Sequence, residues 1–413
     1  MFKVINVILL LLSISAQAYA APADNYRLEL TKAKLSTKKS EEAKAWQQYR
    51  KLIKQHPNNY QVLVDYTLFL YQIEQPTLAY QTLKKLENLY PENESIKLLK
   101  EDLFRNNRSF ASLDYNYEAQ EDSTHQHKLE AIGELKLDQF DLGANYKYNN
   151  FDSDLLRNPK TGNLEKASVE ETIRELYLRY NHKDGHQNKF STYFSDSDSG
   201  ISNESSIWNI KGYNKLTLEY QKPNWDYLEG IVGNATRDSI AFTNKYRITP
   251  RFTSLITLGL NRYGVDEDTN VAKSRTLTAN LSYSFSQYSA IVKMLGNNSY
   301  SSISYNIDGE YKSDLEERLS SSNEIYNPLP VSTREIHTLT LSVGKDVSED
   351  LAIDAYVGYS KNRFDDAAPS YGTKLTYRLT KDADLIIGAS QALSTDGTND
   401  KVQNINVGIK QRF

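Results

Sequence analysis

The sequence contains no cysteine among its 413 residues. Without a thiol, the chain can form no disulfide, no thiolate metal cluster and no cysteine nucleophile. After the first twenty residues it also lacks any apolar run of about 18 residues, which argues against helical membrane spans. The formal net charge is −4 and the pI is near 6.0, so there is no basic footprint for nucleic acid.

Tyrosine is abundant by contrast, with 30 tyrosines against 13 phenylalanines and 3 tryptophans. A tyrosine ring is apolar along its body and polar at its tip, so it suits surfaces that meet both an apolar phase and water. The composition therefore indicates a protein with many such boundary positions.

The first twenty residues have the features of a secretory signal peptide. Lys3 supplies a positive charge, residues 7–12 are uniformly apolar, and Ala18-Tyr19-Ala20 forms a small-x-small cleavage site. No cysteine follows that site, so the bacterial lipoprotein route is excluded. We expect residues 1–20 to be removed and the mature chain to begin near Ala21, outside the cytoplasm.

A helical period runs from residue 33 to about residue 105 and contains a repeat. Pro57 and Pro91 lie 34 residues apart, as do Ala45 and Ala79. A period of 34 residues is that of the tetratricopeptide repeat. The sequence thus predicts a small helical, tetratricopeptide-like domain over residues 21–107. Its role is either a groove for a periplasmic protein partner or a plain helical spacer.

From residue 109 onward the hydrophobic period changes to two, which is typical of strands with one apolar and one polar face. One segment shows this with Leu277, Ala279, Leu281, Tyr283 and Phe285 set against Thr278, Asn280, Ser282 and Ser284.

Three features favour a membrane barrel over a soluble sandwich, which would also alternate. The strands are about 10–13 residues long, whereas soluble strands are near 5–6 and a tilted membrane strand needs about 9–11. Tyrosines lie near the ends of the apolar rows. The last strand alternates and finishes on Phe413. We predict a mainly β chain with an antiparallel transmembrane barrel over residues 108–413, of 16 strands or else 14, with long polar loops that include 151–168 and 312–334.

The polar strand faces carry charges of both signs that nearly balance, which suits either contact with hydrated cargo such as sugars or simple solvation of a water-filled interior. The nine residues predicted to face the lumen are Asp114, Glu130, Glu134, Arg179, Glu219, Asp308, Glu310, Asp354 and Arg378. No catalytic, cofactor or metal site is predicted, because His125 and His127 are expected to be solvated loop residues and no nucleophile elbow or phosphate loop occurs. We therefore expect no enzyme and no cofactor.

A signal peptide, tetratricopeptide-like helices and a barrel ending in phenylalanine resemble the outer-membrane exporters of bacterial exopolysaccharides, such as PelB, PgaA and BcsC. The segments Asn224-Trp225-Asp226, 234–238 and Asn261-Arg262-Tyr263-Gly264, together with Tyr246, look most like the C-terminal barrel of PelB. The resemblance implies a 16-stranded channel in a Gram-negative outer membrane that passes a biofilm polysaccharide outward, with the helices in the periplasm. Those exporters normally carry many more repeats than this chain.

Two other functions fit the same architecture. Surface-lipoprotein translocators also join helical repeats to a barrel, usually of 14 strands, and a passive diffusion porin could carry a helical appendage. The expected partners are the outer-membrane lipid bilayer, the barrel-assembly machinery through Phe413, a periplasmic protein on the helices, and the polysaccharide cargo. No nucleic acid is expected.

Overall fold

The computed structural model describes residues 24–38, 41–73, 75–105, 108–120, 124–137, 139–182, 185–224, 226–286, 288–364, 367–393 and 401–413. The expected signal peptide and Trp225 lie outside the described residues. No helix in the described ranges is long and apolar enough to cross a membrane.

Five described helices come before the strands. They are α1 (Asp24–Lys38), α2 (Glu42–Gln55), α3 (Tyr60–Gln72), α4 (Pro76–Leu89) and α5 (Glu94–Phe104). They form a compact unit that extends to Arg108 and also includes residues 181–186 and 207–213. Its core contains the small side chains Ala45 and Ala79, both fully buried, because small residues allow helices to approach closely.

The 34-residue repeat reappears in the helix caps. Asn59 accepts a hydrogen bond from the Val62 amide at 3.1 Å, and Asn93, 34 residues later, accepts one from the Ser95 amide at 3.0 Å. Each asparagine satisfies a free amide of the first helical turn. The two equivalent positions therefore start α3 and α5 in the same way.

The same unit holds two turns of the chain against the helices. The Gln75 side-chain amide donates to the Asn209 carbonyl at 2.7 Å, and Ile210 packs against the helical core. The Trp208 amide donates to Nδ1 of His186 at 3.1 Å, so the turns 181–186 and 207–213 are also joined to each other.

Asp65 gives the helical unit a pH dependence. Burial raises the pKa of its carboxyl group, although Lys34 at 2.7 Å opposes the shift. Because the folded-state pKa is raised, the stability that Asp65 contributes is full below its unfolded pKa and is lost as the pH rises through the folded pKa. We expect amide exchange in α3 of the full-length protein to speed up over that interval, after correction for the intrinsic rate. Asp65→Asn should remove this pH dependence, and an unchanged pH profile in Asp65→Asn would contradict the assignment.

Sixteen antiparallel strands form a closed barrel in which neighbours in the chain are neighbours in the wall, and two further strands form a separate two-stranded sheet. The barrel strands are β1 (Phe110–Gln120), β2 (His125–Leu137), β3 (Phe140–Arg157), β4 (Leu164–Asn181), β5 (Gln187–Ser195), β6 (Ser199–Asn209), β7 (Gly212–Pro223), β8 (Ala235–Thr249), β9 (Phe252–Val265), β10 (Asp268–Ser284), β11 (Ser299–Leu315), β14 (Arg334–Asp346), β15 (Leu351–Asn362), β16 (Ala367–Thr380), β17 (Ala383–Leu393) and β18 (Lys401–Arg412). The small sheet pairs β12 (Arg318–Leu319) with β13 (Ile325–Tyr326), and two short helices, α6 (Leu228–Val232) and α7 (Ala290–Leu295), lie between strands.

The first and last strands close the barrel. Leu113 pairs with Ile409 and Tyr115 with Val407, and the Phe413 amide donates to the Ser109 carbonyl at 2.9 Å. Closure leaves no sheet edge, which a strand-built membrane protein requires. The predicted mainly β fold, with 16 barrel strands preceded by helices, is confirmed.

Alternate side chains of the barrel form two chemically different faces. On β9, Ile256, Leu258 and Leu260 are 40%, 53% and 58% exposed, whereas Thr257 and Asn261, at odd-numbered positions, lie on the opposite side of the strand. We call these the apolar face and the polar face. Large exposed apolar side chains recur in this way on most of the strands, so the apolar face forms a belt around the barrel.

Two local predictions are wrong. The predicted loop 151–168 is mostly strand, because β3 runs to Arg157 and β4 begins at Leu164. His125 and His127 lie in β2 rather than in a loop, and their Nδ1 atoms bond the hydroxyls of Tyr117 at 3.0 Å and Tyr115 at 2.7 Å. All four side chains lie on the apolar face near the loop end of their strands, where polar tips meet water.

Candidate functional site in the barrel interior

The polar faces of six neighbouring strands, β7 to β11 and β14, line a cavity of about 500 Å³, together with Asp226 of the connection between β7 and β8. In a closed barrel one strand face turns inward, and this cavity lies on the polar one. Hydroxyl groups dominate its wall between charged groups of both signs. The lining residues are Lys215, Thr217, Glu219, Asp226, Arg237, Ser239, Ala241, Thr243, Thr257, Asn261, Tyr263, Thr276, Thr278, Asp308, Glu310 and Arg334.

Arg237 organises the charges on one side of the cavity. Its Nη2 and Nε atoms lie 2.7 and 3.1 Å from Oε2 of Glu219, and its Nη1 lies 2.5 Å from Asp226. Lys222 and Ser239 also donate to Glu219, at 2.5 and 2.8 Å. The charges are thus mutually neutralised, and this part of the wall presents hydrogen-bonding groups without a strong net field.

Glu310 organises the opposite side. Its carboxylate accepts hydrogen bonds from Tyr227 at 2.6 Å, Tyr263 at 2.8 Å and Ser274 at 2.7 Å, and Arg334 lies 3.5 Å away. Tyr263 and Ser274 belong to the wall, but Tyr227 belongs to the connection between β7 and β8. This connection therefore reaches into the interior and is bonded to the polar face.

The far end of that connection touches a different part of the wall. Ile231 of α6 packs with Phe151 and Leu156 of β3, and Val169 of β4 lies against the same cluster. Five strands separate β3 from β9 along the shorter way around the barrel. Residues 226–234, which we call the crossing segment, therefore bridge two distant parts of the wall across the interior.

The connection between β11 and β14, residues 316–333, covers the crossing segment. Leu329 and Val331 are buried in one cluster with Tyr227 and Tyr263. The Tyr326 hydroxyl also reaches the carbonyls of Pro159 and Lys160, at 3.2 and 3.1 Å. The predicted loop 312–334 is therefore packed onto other connections and contributes to closing this end of the barrel.

The main contact of the crossing segment is the hydrogen bond from the Tyr227 hydroxyl to Glu310. Burial raises the pKa of the Tyr227 hydroxyl, and the nearby Glu310 carboxylate raises it further. Tyr227 therefore stays protonated at physiological pH and donates its hydrogen bond to Glu310.

Glycine allows the crossing segment to pass close to other chain segments. A Cβ atom added at Gly233 would lie 2.5 Å from Cγ of Pro159 and 3.0 Å from Val265. The Gly233 carbonyl also accepts a hydrogen bond from the Asp266 amide at 3.1 Å. A larger residue at this position would displace the segment.

A second charged cluster lies on the polar face toward the turns that join β2 to β3 and β4 to β5. Arg179 contacts Glu134 at 3.2 Å and Asp141 at 3.0 Å, and Lys136 contacts the same two carboxylates at 2.5 and 3.2 Å. The Tyr177 hydroxyl donates to Glu134 at 2.5 Å. Two cations and two anions thus offset one another here as well.

All nine sequence-predicted residues lie in strands, at positions that alternate with the exposed apolar side chains of the same strand. The structure brings Glu219, Asp308 and Glu310 together around the cavity and places Glu134 and Arg179 in the second cluster. The remaining four are distributed elsewhere along the wall: Asp114 on β1, Glu130 on β2, Asp354 on β15 and Arg378 on β16.

The residues of the site that were not among the nine include Tyr227, Arg237, Tyr263 and Arg334. Tyr263 and Arg237 lie in the segments that carry the resemblance to PelB, which was the available signal. The sequence around Tyr227 and Arg334 carries no signal of a site, because both residues take part only through their contacts with Glu310.

The cavity wall offers hydrogen-bonding groups to a molecule inside it. In the described part of the chain no group of three or more histidine, aspartate or glutamate side chains is placed to hold a metal ion. Asp308 lies on the cavity wall and makes no hydrogen bond with another described side chain. Its oxygens are thus available to a hydrated molecule in the cavity.

The fold and the interior define a closed outer-membrane type of β-barrel. No protein-family model matches the chain, and no curated protein matches it at a significant level. A solved structure described as a bacterial polysaccharide outer membrane secretin is similar, with a TM-score of 0.53 and 9% identity over 74% of this chain and 99% of that one. OccK11 (OpdR) of Pseudomonas aeruginosa gives a TM-score of 0.39 and 10% identity over 74% and 95%. The KdgM porin gives 0.28 and 10% over 73% and 99%. The first of these similarities shows the fold.

Proposed function

We propose that this chain is an outer-membrane channel through which a polysaccharide is exported. The observation that carries the proposal is the cavity wall, in which six serine and threonine hydroxyls, an asparagine and charges of both signs face the same space. Such a wall exchanges hydrogen bonds with a hydroxyl-rich chain and holds no fixed ion. The similar solved structure is described as a polysaccharide outer membrane protein, which supports the same class of cargo.

The apolar belt, the helical unit and the two ends of the chain each have a role in this proposed function. The apolar belt lies in the outer membrane, and the nine predicted residues line the lumen. The helical unit is tetratricopeptide-like and lies in the periplasm, where it binds a protein partner. Residues 1–20 direct secretion of the protein across the inner membrane. Phe413, which is 70% exposed, is recognised by the barrel-assembly machinery. The chain itself carries out no reaction.

Deletion of the gene tests the cargo. We expect cells that lack the protein to lose surface polysaccharide and retain their surface lipoproteins, with both measured on the same cells. Loss of lipoprotein with unchanged polysaccharide would instead identify a translocator. Loss of neither, together with slower uptake of small solutes, would identify a passive porin.

A substitution that fills part of the cavity tests whether the polysaccharide passes through it. Thr278 lies on the cavity wall, and Leu281 lies on the apolar face of the same strand. In deletion cells, Thr278→Trp should restore the protein in the membrane but only a small fraction of polysaccharide export, because the indole fills part of the cavity. Leu281→Trp should restore export fully. Equal export by the two variants would contradict passage through this cavity.

A further inference from the structure

A row of basic side chains lies on the apolar face at the loop end of β10, β14 and β15. Arg275 is on the same face of β10 as Leu277, and Lys361 follows the exposed Val357 and Tyr359 on β15. We call Arg275, His337, Lys361 and Arg363 the rim patch. Each of its strands continues from the patch into the apolar belt, so the charges sit at the boundary of the belt.

Glu335, a carboxylate beside the rim patch, already has partners. Glu335 accepts a hydrogen bond from the Tyr311 hydroxyl, bonds Nε2 of His337 at 2.8 Å and lies 3.3 Å from Arg363. Its side chain is only 11% exposed. His337 is held in turn by the Tyr305 hydroxyl at 2.6 Å. Glu335 is therefore saturated and has no capacity left for the other two cations.

Arg275 and Lys361 are exposed, and neither makes an ion pair or a hydrogen bond with another residue that the structure describes. By contrast, two other basic residues at this end of the belt are paired, Arg262 with Asp238 and Lys273 with Asp314. Within the described residues, two unpaired cations thus remain at the edge of an apolar surface, where an anionic lipid headgroup would attract both of them.

The distance between Arg275 and Lys361 restricts the kind of anion that can contact both side chains. Arg275 is opposite Tyr311 in the pairing of β10 with β11, and Lys361 is opposite His337 in the pairing of β14 with β15. Tyr311 lies four residues beyond Ile307, the partner of His337 on β11, so three strand spacings and a four-residue offset separate the two cations, or roughly 20 Å. A single phosphate cannot contact both side chains at once, whereas a headgroup with two phosphates can.

We propose that the rim patch binds a glycolipid with two phosphates in the outer leaflet, as in lipid A. The phosphates contact Arg275 and Lys361, and the acyl chains lie along the exposed side chains below them, which include Leu339, Val357 and Tyr359. Longer connections face outward in bacterial barrels, and residues 316–333 lie at this end, so the patch is at the level of the outer-leaflet headgroups. The inference rests on the proposed outer-membrane location and not on the cargo.

Native mass spectrometry of the full-length protein in detergent tests the site, with bisphosphorylated lipid A as the probe and phosphatidylglycerol as the comparison lipid. We expect lipid A to bind the wild type more tightly than phosphatidylglycerol does. The double variant Arg275→Ala/Lys361→Ala should bind lipid A roughly 30-fold more weakly, since each cation at an anionic headgroup layer changes affinity about fivefold. Lys345→Ala, at the opposite end of β14 on the same face, should bind normally.

Equal lipid A binding by the wild type and the double variant would overturn the inference, as would equal binding of dephosphorylated lipid A. Arg275→Gln/Lys361→Gln keeps more of the side-chain volume and serves as the test if the alanine variant does not fold. A barrel that binds lipid A but exports no polysaccharide would remove the proposed cargo and leave the rim patch intact.

Discussion

Removal of the crossing segment is expected to open the barrel. The Asn224 amide donates to the Ala235 carbonyl at 2.8 Å, so the chain on either side of the segment is already paired. Residues 225–234 can therefore be replaced by Asn-Gly, a two-residue link that suits a tight hairpin. Since a barrel of 16 strands without an obstruction encloses an aqueous channel, single-channel conductance in a planar bilayer should rise well above that of the wild type.

Point variants test whether the contact between Tyr227 and Glu310 keeps the conductance low. Tyr227→Phe removes one hydrogen bond to Glu310 but keeps the ring in its cluster, so it should produce only brief openings. Tyr288→Phe alters an exposed tyrosine in the connection between β10 and β11 and should leave the conductance unchanged. If the excised variant folds and conducts like the wild type, the crossing segment does not obstruct the interior.

The second large effect is expected at the middle of β10, where adjacent residues lie on opposite faces. Leu281 is 39% exposed on the apolar face, and an arginine there would carry its charge into hydrocarbon. Leu281→Arg should lower the free energy of unfolding by about 2–4 kcal/mol. Ser282→Arg, one residue later, extends into the wet interior and should change it little.

Urea titration of the barrel folded into lipid vesicles, followed by tryptophan fluorescence, measures both variants. The 3 tryptophans of the chain provide the signal, and neither substitution alters them. Similar losses in Leu281→Arg and Ser282→Arg would mean that the two faces of β10 meet the same environment.

Much of the fold follows from local sequence patterns. The period of two predicts the strands because each barrel residue faces either lipid or the interior, and evenness of the strand number restricts the count to values such as 16 or 14. The repeat in the helices was visible in Pro57 and Pro91, and the structure adds asparagine caps at the same spacing.

The errors arise where tertiary contacts override local polarity. Residues 151–157 look like a loop because Asp152 and Asp154 are polar, yet pairing with β4 extends the strand beyond the belt. The histidines of β2 look like solvated loop residues, but tyrosines on β1 hold them in the wall. The crossing segment could not be predicted, since its contacts join residues more than eighty positions apart, such as Tyr227 and Glu310.

Single cysteines along β10 test the two-faced wall most directly. The natural chain has no cysteine, so each introduced thiol is unique. In proteoliposomes of the excised barrel, a small charged thiol reagent should modify cysteines at 276, 278, 280 and 282 quickly. Cysteines at 277, 279, 281 and 283 should stay unmodified until detergent is added. Uniform reactivity along the strand, before and after detergent, would show that no face of this strand is covered by lipid.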